Sequence, residues 1–305
     1  PRVAIIGAGQ VGATVAHLVM LKGLAEVTLL DVVDGLAQGK GLDLLQAAAI
    51  EEVPVGVSGT TDFAALAGSR IVVITAGMSR KPGMSRDDLL AANANIVGPI
   101  AERIAREAPE AIVLVVTNPL DVMTALVLQR SGFPRSRVVG MAGVLDTGRL
   151  RAFIAQRLNV SPADVQAMIL GSHGELMVPL ASSITVKGTP LAQLLDAKTI
   201  EELLTRARDG GAEIVSLLKT SSAYYAPASG VVQMLSAILR DEHRVLPGCA
   251  WLQGEYGLKD VCIGVPVELA AAGLVRVVEQ RLSPQERAAL PAARARLYCV
   301  PWAKS

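Results

Sequence analysis

Aromatic side chains are scarce in this 305-residue chain, 3% against 51% hydrophobic residues overall, so its interior must be built from Ala, Val, Leu and Ile. That palette suits a parallel sheet covered by helices. An excess of charge of either sign is also lacking, with 29 Lys and Arg against 28 Asp and Glu. No overall field therefore steers the chain toward nucleic acid or anionic lipid, and any cationic site must be local. No apolar run reaches the roughly 20 residues of a membrane span. The chain opens on a strand-like Val3-Ala4-Ile5-Ile6 rather than a basic segment with an apolar signal core. These absences predict a cytoplasmic protein with no nucleic-acid or membrane partner, Pro1 leaving open a segment removed ahead of it. The cysteines, Cys249, Cys262 and Cys299, are odd in number and lack the close spacing of zinc ligands, which predicts reduced, mostly buried thiols and no metal site.

What is present is a rhythm. Short β-branched runs recur at Val3 to Ile6, Val27 to Leu30, Val53 to Val57, Ile71 to Thr75, Ile112 to Val116 and Val138 to Met141, each followed by a helical pattern. Strands alternating with helices predict an α/β domain with a doubly wound parallel sheet over residues 1–143. One long helix, Asp87 to Glu107, holds Pro99 inside it and should bend there. Residues 144–305 read as a second, α+β domain. It is expected to hold a helix from about Asp146 to Asn159, a helix start at Ser161-Pro162 and an apolar run from Val165 to Leu170. Strands follow near Ile184 to Lys187, Arg244 to Leu252 and Val261 to Val267, and a last helix begins at Ser283-Pro284. No linker or repeat separates the halves, which predicts a firm interface.

Gly7-Ala8-Gly9-Gln10-Val11-Gly12 follows the first strand pattern and opens a helix. In that context the glycines allow a tight turn, approach of a pyrophosphate and close helix packing, with the helix N-terminus facing the anion. Asp31 stands 19 residues after Gly12 at the end of the Val27 to Leu30 run, where a carboxylate meets adenosine ribose hydroxyls. The pair predicts a Rossmann dinucleotide site. Because Asp31 repels a ribose phosphate and Val32-Val33 offers no Arg to neutralise one, the predicted cofactor is NAD.

Two arginines, Arg80 and Arg86, lie on the Gly-bounded loop Gly77-Met78-Ser79-Arg80-Lys81-Pro82-Gly83-Met84-Ser85-Arg86. A planar, permanently charged fork grips carboxylates bidentately, so the loop suits an organic diacid; taken alone it also reads as a solvated basic turn. Only three histidines are available for proton transfer. His17 falls in the first helix and His243 in a charged Asp241-Glu242-His243-Arg244 segment, whereas His173 sits between glycines after a strand-like run. Asp146 and Arg149, three apart, share a helical face, so one helix can deliver a carboxylate to orient His173 and a guanidinium to anchor a substrate carboxylate. A surface ion pair is the competing reading.

Taken in order, Gly7 to Gly12 with Asp31, the arginine loop, Val116-Thr117-Asn118-Pro119, Gly143 to Arg149 and Gly171-Ser172-His173-Gly174 resemble the lactate/malate dehydrogenase superfamily. Within it the chain is most similar to the lactate-dehydrogenase-like malate dehydrogenases. Arg80 stands where lactate enzymes typically carry Gln, Met84 where they carry Glu, and Ala223 where they usually have Thr. The resemblance implies His173 as proton acceptor with Asp146 as partner, Arg86 polarising the carbonyl, Arg149 on the adjacent carboxylate and Arg80 on the distal one. Asn118 would bind substrate through a cis bond to Pro119, and Asn93, Val116, Thr117 and Asn118 would line the NAD site. It implies a dicarboxylate substrate, malate or oxaloacetate, a mobile arginine loop, and a homo-dimer or homo-tetramer. Glu175 where the family usually has Asp, Ala270-Ala271-Ala272-Gly273, and the tail from Tyr298 to Ser305 depart from its pattern. A lactate or other 2-hydroxy acid dehydrogenase, and an NAD-binding protein without activity, are the alternatives.

Overall fold

A computed structural model describes residues 1–79, 83–174 and 176–294, the side chains of Arg86 and residues 291–294 lying outside that description. Strands β1 (Arg2–Ile6), β2 (Glu26–Leu30), β3 (Val57–Thr60), β4 (Ile71–Ile74), β5 (Ile112–Val115) and β6 (Val138–Gly140) lie in the order β3-β2-β1-β4-β5-β6, every pair parallel. Helices α1 (Gln10–Leu21), α2 (Leu36–Ile50), α3 (Arg86–Glu107) and α4 (Leu120–Ser131) connect them. Because side chains alternate along a strand, Val3 and Ile5 enter one core and Ala4 and Ile6 the other. Both faces of the sheet are thereby covered, as its Val/Ile composition requires.

One strand is displaced from its expected place. Val53 to Val57 contains Pro54, which has no N–H to give a ladder, and the pairing begins only at Val57, opposite Val27. Gly59 replaces a β-branched residue inside β3 because α2 presses on it, and a Cβ there would lie 1.8 Å from Ala37 O. Helix α3 starts with a reciprocal Ser85–Asp88 capping box and continues through Pro99.

The C-terminal half holds α5 (Gly143–Leu158), β7 (Val165–Gln166), β8 (Ile169–Gly171), β9 (Met177–Pro179), β10 (Thr185–Val186) and β11 (Thr189–Pro190). These are followed by α6 (Ala197–Leu218), α7 (Tyr225–Leu239), β12 (Arg244–Gln253), β13 (Lys259–Ala270), β14 (Gly273–Val277) and α8 (Pro284–Arg294). Helix α5 begins three residues before the expected Asp146, and the Ser161-Pro162 start yields only a one-turn 3-10 segment, Pro162–Asp164. Its extension is cut off because Val165 enters β7, paired with Val186. The run from Val165 to Leu170 thus divides between two sheets. Strands β12 and β13 form a long antiparallel pair, with Cys249 opposite Gly140 and Gly264 opposite Gly171. Among the described residues, eleven strands in this way make one sheet, and β8 is anchored to the same frame as β1. Cys249 and Cys262 are buried free thiols, while Cys299 lies outside the described residues. No described helix is long and apolar enough to cross a membrane.

Candidate active site

The strand order reverses between β1 and β4, and ligands of such sheets bind in the crevice at the carboxyl ends there. The chain leaves β1 through Gly7 at φ +107, where a Cβ would lie 2.6 Å from Ala76 N, and passes Gly12, whose Cβ would meet Gly7 O at 1.9 Å. Gly9, by contrast, has nothing within 4 Å of its Cβ position. Two glycines are therefore demanded by the protein's own backbone, and the third keeps open the space in front of α1. That helix opens at Gln10 and Val11 with no side-chain cap and no acidic residue in its first turn, so its N–H groups and positive dipole end face an anion.

Asp31 is fixed at the crevice edge, its Oδ2 accepting from Ala8 N at 2.7 Å and its Oδ1 from Val33 N at 3.0 Å. Lys40, which sequence reasoning passed over, donates to Ala8 O at 2.7 Å and braces the same turn. These residues fit a dinucleotide, with the pyrophosphate against Gly9 and the ribose hydroxyls at Asp31.

The opposite wall is tied together by side chains. Thr75 Oγ1 donates to Gly7 O at 2.9 Å and Thr117 Oγ1 to Ala76 O at 2.7 Å. Asn93, 1% exposed, accepts from Met78 N at 2.7 Å and donates to Met78 O at 3.1 Å and Asn118 O at 2.7 Å. Its amide joins the start of the arginine loop to the Val116-Thr117-Asn118 turn, so Asn93 shapes the crevice by holding its walls. The Asn118–Pro119 bond is cis.

Helix α5 brings the reactive groups together. Asp146, 2% exposed, takes a hydrogen bond from His173 Nδ1 at 2.9 Å through Oδ2 and one from Arg149 at 3.4 Å through Oδ1. Thr147 Oγ1 accepts from Ile169 N at 3.0 Å, fixing α5 against the strand that leads to His173. Because a carboxylate only accepts, Nδ1 carries the hydrogen in the neutral ring and Nε2 the lone pair. Burial pushes the imidazole toward its neutral form, but the charge and hydrogen bond of Asp146 outweigh that and hold its pKa above the ordinary histidine value.

Arg149 is nearly buried, and its Nε has no hydrogen-bond partner among the described residues. Burial weakens its hold on the proton and Asp146 restores part of it. A guanidinium remains charged regardless, so this one is a fixed positive charge beside the His173–Asp146 pair. Two consecutive helical glycines make room for it. The three atoms nearest a Cβ on Gly210 all belong to Arg149, the closest at 3.2 Å, and the same holds for Gly211 at 3.5 Å and beyond. Beside Arg149 a groove of about 950 Å³ runs between α1, α5, α6 and α7, lined by Leu18, Leu145, Phe153, Ile214 and Val232.

Of the residues expected at the site, the structure gathers His173, Asp146 and Arg149 in one cluster and Gly7, Gly9, Gly12, Asp31, Asn93, Thr117 and Asn118 around one crevice. Arg80 and Glu175, and the side chain of Arg86 at the start of α3, lie outside the described residues.

A Rossmann crevice with an imidazole–carboxylate pair and a buried guanidinium defines an NAD-dependent oxidoreductase. Residues 1–140 match the NAD binding domain of lactate/malate dehydrogenase, and residues 143–299 match its alpha/beta C-terminal domain. The chain is 56% identical over 290 residues to a malate dehydrogenase from Trichormus variabilis, an overlap of 95% of this chain and 90% of that one. A solved malate dehydrogenase from Cryptosporidium parvum superposes with a TM-score of 0.95 at 40% identity, covering 97% of this chain and 96% of the other. The lactate dehydrogenase of C. parvum, solved with lactic acid and NAD, gives 0.94 at 38% identity, covering 97% and 95%. The chain belongs to the lactate/malate dehydrogenase family.

The open space at Gly9 supplies a direct check on the cofactor site. Gly9→Ala should leave the melting temperature unchanged, since the methyl meets no protein atom. It should weaken NADH by about tenfold to a hundredfold, the cost of roughly 1–3 kcal/mol for overpacking at a ligand. Fluorescence titration with NADH reads this, and an unchanged Kd would put the pyrophosphate elsewhere.

Proposed function

We propose that the protein catalyses the reversible oxidation of (S)-malate to oxaloacetate with NAD, His173 acting as proton acceptor. The observation that carries this reading is the hydrogen bond from His173 Nδ1 to buried Asp146, formed on the same helical face that presents Arg149. In oxidation, Nε2 of neutral His173 takes the hydroxyl proton, and Asp146 stabilises the imidazolium that results. In reduction, protonated His173 returns it. NAD, when bound, supplies the hydride acceptor in the crevice. Arg149 holds the carboxylate beside the reacting carbon, its fixed charge favouring an anionic ligand there.

Arg86 is assigned to the carbonyl oxygen, Asn118 to substrate, and Arg80 to the distal carboxylate, all on the family resemblance; the malate dehydrogenases among the relatives support the diacid. Ala223, ahead of α7, is the small residue of the malate type. The same reading includes a cytoplasmic homo-dimer or homo-tetramer, an assembly that Leu42, Leu45 and Ile50, exposed on α2, would suit.

The rival is a lactate or other 2-hydroxy acid dehydrogenase, which would use the same proton acceptor without a reader for a second carboxylate. A spectrophotometric scan of NADH oxidation with oxaloacetate, pyruvate and a branched 2-oxo acid separates them. Oxaloacetate should be strongly preferred, and preference for either monoacid would overturn the proposal.

Arg149's seat gives a second check. Glycine inside a helix costs about 0.5–1 kcal/mol relative to Ala, so both Gly210→Ala and Gly211→Ala should hold or raise the melting temperature. Only Gly210→Ala crowds the Arg149 stem, at 3.2 Å, and should raise KM for oxaloacetate by about tenfold. Equal KM values in the two variants would remove Arg149 from substrate binding or show that its stem adjusts.

A further inference from the structure

A second carboxyl group lies behind the catalytic pair. Asp121 stands in the first turn of α4, three residues after Asn118, and Ser172 immediately precedes His173. Across 51 positions of sequence, Ser172 Oγ donates to Asp121 Oδ2. The two residues thus join the turn of the cis Asn118–Pro119 bond to the segment that carries His173, which runs between Gly171 at φ +81 and Gly174 at φ +95. Glycines in the left-handed region permit that path without fixing it, so side-chain ties have to fix it. His173–Asp146 is one and Ser172–Asp121 is the other.

We propose that Asp121 is a positioning residue: through Ser172 it locks the His173 segment to the Asn118 turn, setting proton acceptor and substrate amide in one rigid frame. The inference rests on the reading of His173 as proton acceptor. Asp121 is 5% exposed, and its Oδ1 has no hydrogen-bond partner among the described residues. A buried carboxylate with an unpartnered oxygen is costly, which favours its protonated form.

Burial pushes the carboxyl above its usual range. The hydroxyl of Ser172 and the thiol of Cys249 oppose this, as does His173 at longer range, while Asp146 adds to it. Among the described residues these are the groups that face it, from α5, β12 and the His173 segment. Burial thus favours the neutral form of Asp121, and Asp146 is the carboxylate in direct contact with His173 Nδ1.

The test uses the full chain and two mild variants. Ser172→Ala removes one half-buried hydroxyl and should lower kcat for oxaloacetate reduction by about tenfold through misplacement of the imidazole. The melting temperature and the Kd for NADH should hold. Asp121→Asn keeps an acceptor for Ser172 and should retain most of the turnover, with the Kd for NADH in place. Full kcat in Ser172→Ala, or loss of NADH affinity in parallel with kcat, would overturn the inference. So would a loss of kcat in Asp121→Asn as large as that in Ser172→Ala, since the amide keeps the acceptor that the hydroxyl needs. His173→Asn separates the two levels: an active His173→Asn enzyme defeats the underlying reading, whereas an inactive one beside a fully active Ser172→Ala defeats only the role of Asp121.

Discussion

Replacing His173 with Asn is expected to lower turnover by about two to four orders of magnitude while NADH binds as before. The amide of Asn can still donate to Asp146 Oδ2, so the buried carboxylate keeps a partner and the fold is spared an orphaned charge. What disappears is a group that exchanges a proton near neutral pH. Steady-state kinetics with fluorescence titration of NADH distinguishes the outcomes, and equal loss of turnover and NADH affinity would mean that His173 serves the fold.

The same pair sets a pH dependence. With its pKa held above the ordinary histidine value of about 6.5, His173 of the free enzyme stays protonated past that pH. Malate oxidation, which needs the neutral ring, should rise through the elevated pKa, and oxaloacetate reduction should fall through it. Stability follows the same sign. A pKa raised on folding contributes stability that is fully present below the unfolded value and is lost as pH rises through the folded one. The His173→Asn variant should lack that component.

Arg80→Gln is expected to cost about 3–5 kcal/mol on oxaloacetate, a loss of roughly a hundredfold to a few thousandfold in kcat/KM, and to gain on pyruvate. Arg80 lies outside the described residues. A fixed guanidinium gives a dicarboxylate a second charged hydrogen-bonded pair that a monoacid cannot form. Removing it leaves the distal carboxylate desolvated without a partner, whereas pyruvate loses nothing. An unchanged ratio of the two substrates would mean that the distal carboxylate is read by another residue.

What could be read in the sequence was what depends on local pattern or residue chemistry. The turn Gly7 to Gly12 with Asp31 is legible because the backbone admits only glycine at positions 7 and 12 and a phosphate needs the open space at Gly9, and the pairing of Asp146 with His173 because imidazole chemistry calls for a carboxylate. Strand β3 begins later than the β propensity of Val53 and Val55 suggests, because Pro54 has no N–H to give the ladder. Asp121 and Ser172 carry no local signal, since their meeting depends on how β8 is laid beside β13. Gly210 and Gly211 look like helix weaknesses until Arg149 is seen lying across them. Asn93 was expected at the cofactor by resemblance, and the fold adds that its amide ties the crevice walls together.

The most direct measurement is a crystal structure of the complex with NADH and an unreactive four-carbon dicarboxylate. The account predicts His173 Nε2 within about 3 Å of the oxygen at the reacting carbon, Nδ1 still on Asp146, and Arg149 and Arg80 on opposite carboxylates. A closed complex in which His173 turns away from that oxygen, or in which the distal carboxylate meets only solvent, would contradict it.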